Sequence, residues 1–263
     1  MELRIPVPGG EVWAEDTGGD GTPLILVNAN WSTAEIWSPL WGLLADRYRL
    51  IRYDDRGYGR SPAPAAPFTR LADLRAVVDR MTGRPAVIVG HSGGGGIALG
   101  LALSDPERVA ALVLISPGVP GYPWPHDDPY FGAFVELFAT GDREGLLRLG
   151  LATWAPAGDD AVVTTEISAA VTAFLTVGEL EQPEPPAYDR LGDVRAPAVM
   201  VRGDREYPMV ADCADAIASR LPDCRRVVIP GADHMLPLRA PDQLAEIIAG
   251  RDLDGCERTG SNE

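Results

Sequence analysis

Three observations predict an α/β fold with a doubly wound, mostly parallel sheet and a helical insertion between two of its strands. Short continuous apolar runs, of the kind buried on both faces of a sheet, alternate with stretches of helical periodicity. One of those runs, Val87-Ile88-Val89, passes through Gly90-His91-Ser92-Gly93-Gly94 straight into a Gly/Ala/Leu helix pattern. Between Pro117 and about Arg190 the strand signals vanish and amphipathic helices take over.

In chain order, Leu3–Val7 and Glu11–Glu15 alternate apolar and polar around Pro8-Gly9-Gly10 and read as an antiparallel hairpin with one solvated face. Leu24–Val27 is a fully apolar strand, followed by Asn28-Ala29-Asn30-Trp31. Ser38–Ala45 reads as a helix and Tyr48–Tyr53 as the next strand, which ends in the turn 54–61. Phe68–Met81 carries helical periodicity, with Thr69 as an N-cap. The serine-bearing strand and its helix follow, closed by Ser104-Asp105-Pro106, and Ala110–Ile115 is another buried strand. Tyr130–Thr140, Arg143–Thr153 and Asp160–Val177 are the helices of the insertion. The alternation then resumes: strand Ala198–Arg202, helix Ala211–Leu221, strand Arg226–Ile229 and helix Pro241–Ala249. The expected organisation is a core of residues 1–117 and 191–250, a cap of residues 118–190 and a flexible polar tail over 251–263.

Composition removes several classes of function. The 263 residues carry a net charge of −15, which argues against nucleic acid or an anionic membrane as partner. The longest apolar runs, such as Val109–Ile115, fall short of a membrane span. All 23 basic residues are arginine, so neither a P-loop lysine nor a Schiff-base lysine is available. The three cysteines are scattered, which suggests reduced thiols and a cytoplasmic setting. With three histidines and no paired cysteines, no metal site is expected and no cofactor is implied. A small molecule remains as the expected partner; the sequence leaves the oligomeric state open.

The serine turn is the chemical centre. A strand-to-helix turn this tight forces Ser92 into a strained backbone conformation and lifts its hydroxyl above the sheet edge. A Cβ at Gly90 or Gly94 would collide with a neighbouring strand or helix. The Gly93 N–H and the helix dipole face the same space, where they can stabilise an oxyanion. The competing reading is a Gly-rich turn that binds phosphate. Of the three histidines, His91 points away from the nucleophile, His126 lies in a polar loop, and His234 is the candidate base. Asp204 and Glu206 both follow the strand Ala198–Arg202. In a parallel sheet the residues just after strand ends share one crevice, which brings Ser92, this acid turn and His234 together in that chain order.

These residues resemble an α/β-hydrolase of the serine-esterase and lactonase type over nearly the whole chain. The likeness rests on 90–94, the turn 54–61, the turn Gly203-Asp204-Arg205-Glu206, and Gly231-Ala232-Asp233-His234 followed by Pro241. The segment from Phe138 to Trp154 resembles the cap of the branch that holds enol-lactone hydrolases, C–C bond hydrolases and cofactor-free haloperoxidases. The resemblance implies a triad of Ser92, His234 and Glu206, the last in the place the family gives its acid, with Asp204 as the alternative. It implies an oxyanion hole from the N–H groups of Gly93 and Asn30. Four departures stand out: Asn28-Ala29 replaces the usual His-Gly, Gly93 replaces a bulky residue and leaves more room beside the serine, Glu206 holds the acid position where Asp is more frequent, and Arg239 stands where Glu is common. Candidate pocket residues are Asn28, Trp31, Trp124, Phe134, Trp154 and Met235. The expected activity is hydrolysis of a small, largely apolar ester or lactone through an acyl-enzyme. The alternatives are a biosynthetic thioesterase, acyltransferase or cyclase using the same triad, and a slow or inactive small-ligand binder.

Overall fold

The computed structural model describes residues 1–250; the expected tail at 251–263, with Cys256, lies outside the described residues. Eight strands form one sheet: β1 (Glu2–Val7), β2 (Gly10–Asp16), β3 (Thr22–Val27), β4 (Tyr48–Tyr53), β5 (Ala86–His91), β6 (Val109–Ile115), β7 (Ala198–Gly203) and β8 (Cys224–Ile229). Their order is β1-β2-β4-β3-β5-β6-β7-β8. The hairpin β1–β2 and its junction with β4 are antiparallel and every other pairing is parallel. The order turns back at β3, so β5 is central and its carboxyl end opens into the crevice where such sheets bind ligands.

The helices are α1 (Ser38–Leu44), α2 (Arg70–Met81), α3 (Gly93–Ser104), α4 (Pro129–Thr140), α5 (Arg143–Trp154), α6 (Ala161–Val177), α7 (Pro208–Arg220), α8 (Leu236–Arg239) and α9 (Pro241–Ile248). Thr69 caps α2 by accepting from the Ala72 N–H, so the helix starts after it rather than at Phe68. Helix α7 starts at Pro208, three residues before the expected Ala211, because proline suits a first helical turn. Helix α8 and the 3₁₀ turns Ala34–Trp37 and Tyr188–Asp193 are too short to show a period in the sequence.

Two apolar layers sandwich the sheet. One packs α2, α3 and α7 against β5 and β6 through residues such as Leu74, Ile88, Leu112 and Ile217. The other joins Trp37, Leu40, Val89, Val113 and Leu244, and runs on into the cap through Leu146, Val163 and Ile167. The cap comprises α4–α6 and lies between β6 and β7 in sequence. Residues 161–180 form a helical stretch long and apolar enough to cross a membrane by length and composition, although Thr, Ser and Glu break it into short apolar runs in the sequence. Its Val163, Ile167, Ala170 and Val171 are fully buried in the protein, so this helix serves as the inner helix of the cap.

Candidate active site

The turn after β5 carries the most constrained backbone of the site. Ser92 has φ +53° and ψ −120°, a region that a residue with a side chain rarely adopts. Surrounding bonds hold it there: its N–H donates to Ile115 O (2.8 Å), and its carbonyl accepts from Gly95 N–H (2.9 Å) and Gly118 N–H (3.0 Å). A Cβ on Gly90 would stand 2.5 Å from Gly94 O, and one on Gly94 would stand 2.4 Å from Asn28 O. Helix α3 can therefore press onto β3 and β5 only because both positions are glycine.

The turn after β7 carries the two acids, and hydrogen bonding separates them. Asp204 is exposed and accepts from Gly231 N–H (2.7 Å), tying two loops together. Glu206 is buried and meets His234 Nδ1 through both oxygens, at 2.9 and 3.0 Å. Its Oε1 also accepts from Tyr207 N–H at 2.8 Å. Burial pushes the Glu206 carboxyl up, but the charge and hydrogen bond of His234, the Ser116 hydroxyl and the Tyr207 N–H outweigh it and hold the group below its usual range.

His234 is fully buried and its Nε2 has no hydrogen-bond partner. The rings of Trp154 and His91 lie on it, with centroids 4.7 and 4.9 Å away. His91 Nε2 donates to the His234 carbonyl at 2.8 Å; burial and then the neighbouring His234 lower its pKa to about 3, which keeps it neutral. Asp233, although adjacent to His234, faces elsewhere. Its Oδ2 accepts from Ala157 N–H (2.9 Å) and its Oδ1 from Met235 N–H (3.1 Å). Arg239 reaches Asp233 at 3.4 Å, Asp160 at 2.7 Å and the Gly158 carbonyl, which gives this departure from the family pattern a role in fastening the cap to the histidine loop.

A cavity of about 340 Å³ opens at Ser92. Gly93, Asn30, Trp31, Trp124, Phe134 and Trp154 line it, as do the further cap aromatics Tyr130, Phe131 and Phe174, and Met209 and Val210, which carry no pocket signal of their own in the sequence. Met209 and Val210 open α7 directly behind the acid turn, a position that could have nominated them. Two expected pocket residues are corrected. Asn28 is buried beneath the loop, its Nδ2 donating to Tyr53 O (2.7 Å) and its Oδ1 accepting from Trp37 Nε1 (2.8 Å). Met235 is packed into the apolar layer with Leu236 and Leu244.

The room expected beside Gly93 is also filled. A Cβ there would stand 2.1 Å from Asn30 Oδ1, which accepts from Arg70 Nη1 at 2.6 Å. Arg70 is buried and also binds Asn28 O (2.7 Å) and Asp55 (2.8 Å). The Asn30 side chain thus braces the loop, and the N–H groups of Asn30 and Gly93 are left without partners among the described residues. Arg56, in the turn after β4, is spent on Asp73 (2.6 and 2.8 Å) and Pro8 O, away from the cavity. Among the described residues no group of three or more His, Cys, Asp or Glu could hold a metal ion.

The family model described as "Alpha/beta hydrolase family" matches residues 24–247. The chain is 29% identical over 248 residues to a RutD protein of Azorhizobium caulinodans named for carbamate hydrolysis, covering 88% of this chain and 91% of the relative. It is 30% identical over 250 residues to the pimeloyl-(acyl-carrier protein) methyl ester esterase of Nitrosomonas europaea, covering 87% and 94%. A thermophilic esterase structure from Thermogutta terrifontis superposes with a TM-score of 0.76 at 22% identity, covering 95% of this chain and 97% of that one. The match across the sheet, the serine turn and the histidine loop shows that the chain belongs to the alpha/beta hydrolase family and is a hydrolase.

Proposed function

We propose that the chain is a serine hydrolase that cleaves a small, largely apolar ester or lactone through an acyl-enzyme. The observation that carries this reading is the buried His234–Glu206 pair, with His234 Nε2 unpartnered beneath Trp154, a ring that lines the same cavity as Ser92. His234 takes the proton from Ser92 as its oxygen attacks the carbonyl carbon. The neighbouring N–H groups of Gly93 and Asn30 receive the charge that develops on the carbonyl oxygen. Glu206 accepts from Nδ1–H, fixes the tautomer in which Nε2 is the base, and stabilises the imidazolium. The imidazolium protonates the leaving alcohol. Water then attacks the acyl group, with His234 again as base, and Ser92 is regenerated.

The aromatic lining supports an apolar substrate, since apart from Asn30, Ser92, the Tyr130 hydroxyl and the indole N–H groups its side chains are apolar. The ester and carbamate cleavage for which the two reported relatives are named both break a bond at a carbonyl carbon, as this reading requires. The test is covalent labelling. A fluorophosphonate is expected to modify Ser92, and Ser92→Ala to lose labelling and at least about 10³-fold in turnover of p-nitrophenyl esters. Undiminished turnover by a folded Ser92→Ala protein would end this reading.

A further inference from the structure

A second cavity, of about 360 Å³, lies behind the one that opens at Ser92. The two share Asn30, Phe134 and Phe174 as lining. Phe174, on α6, stands between them. On the serine side it meets Trp31 edge-to-face, with centroids 4.7 Å apart. On the far side it meets Tyr58 at 6.2 Å and 90°. Phe134 closes the same wall from α4, at 5.7 Å from Phe174. The wall is therefore one ring thick, and both rings are only half-buried.

The two chambers differ in chemistry. The front chamber has no carboxylate in its lining, whereas Glu181 and Glu184 line the rear one beside Tyr58 and Phe138. Glu184 Oε1 accepts from Leu71 N–H at 3.0 Å, and its Oε2 is buried without a partner. Glu181 makes no ion pair among the described residues, and the nearby Arg70 is already held by Asn30, Asn28 and Asp55. Two carboxylates among aromatic faces suit a hydroxyl or an ammonium group and repel an anion.

We propose that Phe174 is the specificity-determining wall of the site and that the chamber behind it is a rear subsite. The ring keeps substrate out of it; once the ring is removed it takes the far end of a longer substrate, one that ends in a hydroxyl or ammonium group rather than a carboxylate. The proposal rests on the serine-hydrolase reading for its substrate class, and it has a binding readout that does not. With the ring in place, the length of chain accepted is set by the front chamber. With the ring gone, the two volumes join.

The experiment compares wild type with Phe174→Ala, and with Phe174→Leu as the milder change, on p-nitrophenyl esters from acetate to decanoate. The kcat/KM ratio of decanoate to acetate is expected to rise at least about tenfold in Phe174→Ala, with Phe174→Leu between. In parallel, quenching of tryptophan fluorescence by straight-chain primary alcohols reads the chambers without turnover. Wild-type affinity should level off with chain length, while in the variants it keeps rising by about fourfold per added methylene. Decylammonium should bind Phe174→Ala more tightly than decanoate in 0.15 M salt, and adding Glu181→Gln should narrow that preference. A shifted alcohol plateau with no esterase activity in any of these proteins would keep the wall and sink the hydrolase reading. An unchanged plateau and an unchanged ester ratio in cooperatively melting variants would overturn the wall, and a preference unmoved by Glu181→Gln would overturn the rear subsite's charge selectivity.

Discussion

The serine turn and the cap enclose the same cavity but are built in opposite ways. Around Ser92, position is fixed by backbone: three main-chain bonds hold one residue in a strained conformation, and glycines let a helix touch two strands. The cap contributes rings. Tyr130, Phe134, Trp154 and Phe174 contact one another and Trp31 of the core edge-to-face, tilted or stacked, with centroids 4.7 to 6.4 Å apart. Most of them are partly exposed, and one interior hydrogen bond joins Trp31 Nε1 to Tyr130 at 3.1 Å. Chemistry needs groups placed to a fraction of an ångström, which hydrogen-bonded backbone supplies; apolar recognition needs area and shape, which rings supply. Changes in the first region should therefore act on kcat, and changes in the second on substrate choice or stability.

The largest contrast should come from the two acids. Glu206→Gln keeps the shape but favours the wrong tautomer of His234, and is expected to lower kcat by up to about 10⁴-fold. Asp204→Asn, which can still accept from Gly231 N–H, should stay within about tenfold. A dead Asp204→Asn enzyme beside an active Glu206→Gln one would reverse the assignment.

Next is Gly93→Ala. Its methyl would enter the space of the Asn30 side chain, which Arg70 pins, so the loop must shift and misplace one N–H of the pair. The expected loss is about 10²-fold in kcat with little change in KM, the range for one misaligned oxyanion donor. A KM effect alone would mean that these N–H groups bind substrate without serving the transition state.

The smallest effect belongs to the cap and is one of stability. Glu166 on α6 is buried and accepts from Thr33 N–H at 2.8 Å, with the Thr33 hydroxyl at 3.1 and 3.2 Å. Burial raises its pKa to about 7, against the lowering pull of Thr33. The folded state thus holds a proton that the unfolded chain gives up near its ordinary value of 4.5. Stability from this group is complete below about pH 4.5, declines as pH rises toward 7, and is gone above it. Glu166→Gln, which keeps an acceptor for Thr33, should therefore stabilise the protein at pH 8 by up to about 3 kcal/mol and change little at pH 4.5. Urea melts at the two pH values read this directly, and an equal shift at both would refute the linkage.

The sheet was legible because each strand is a short apolar run bounded by turn residues, and Thr69 marked its helix by residue type alone. The two-residue offset between Asp204 and Glu206 was readable only through likeness to known acid turns, since propensity treats both carboxylates alike. Asn28 was misplaced for a related reason. Two amides in one loop look equivalent in sequence, and only the fold shows that Asn28 faces Trp37 and Tyr53 while Asn30 meets Arg70. Gly93 misled in another way: a missing side chain marks space, but the sequence does not say which neighbour occupies it. The two-chamber wall had no sequence signal, because Phe134 and Phe174 come from helices whose crossing is a tertiary fact.

The bonds of Asp233 have a consequence for how the cap can move. One carboxylate grips the segment between α5 and α6 at Ala157 and the histidine loop at Met235, with Arg239 as a second tie. A swinging lid would have to strip a donor from a fully buried charge and would drag His234 with it. The roof is therefore bolted rather than hinged at this corner, where the segment between α5 and α6 moves with the histidine loop or not at all. Warming should not loosen the roof ahead of the floor. Amide exchange at Ala157 should track the central strands, and the enzyme should keep its catalytic geometry until the whole domain melts in one step.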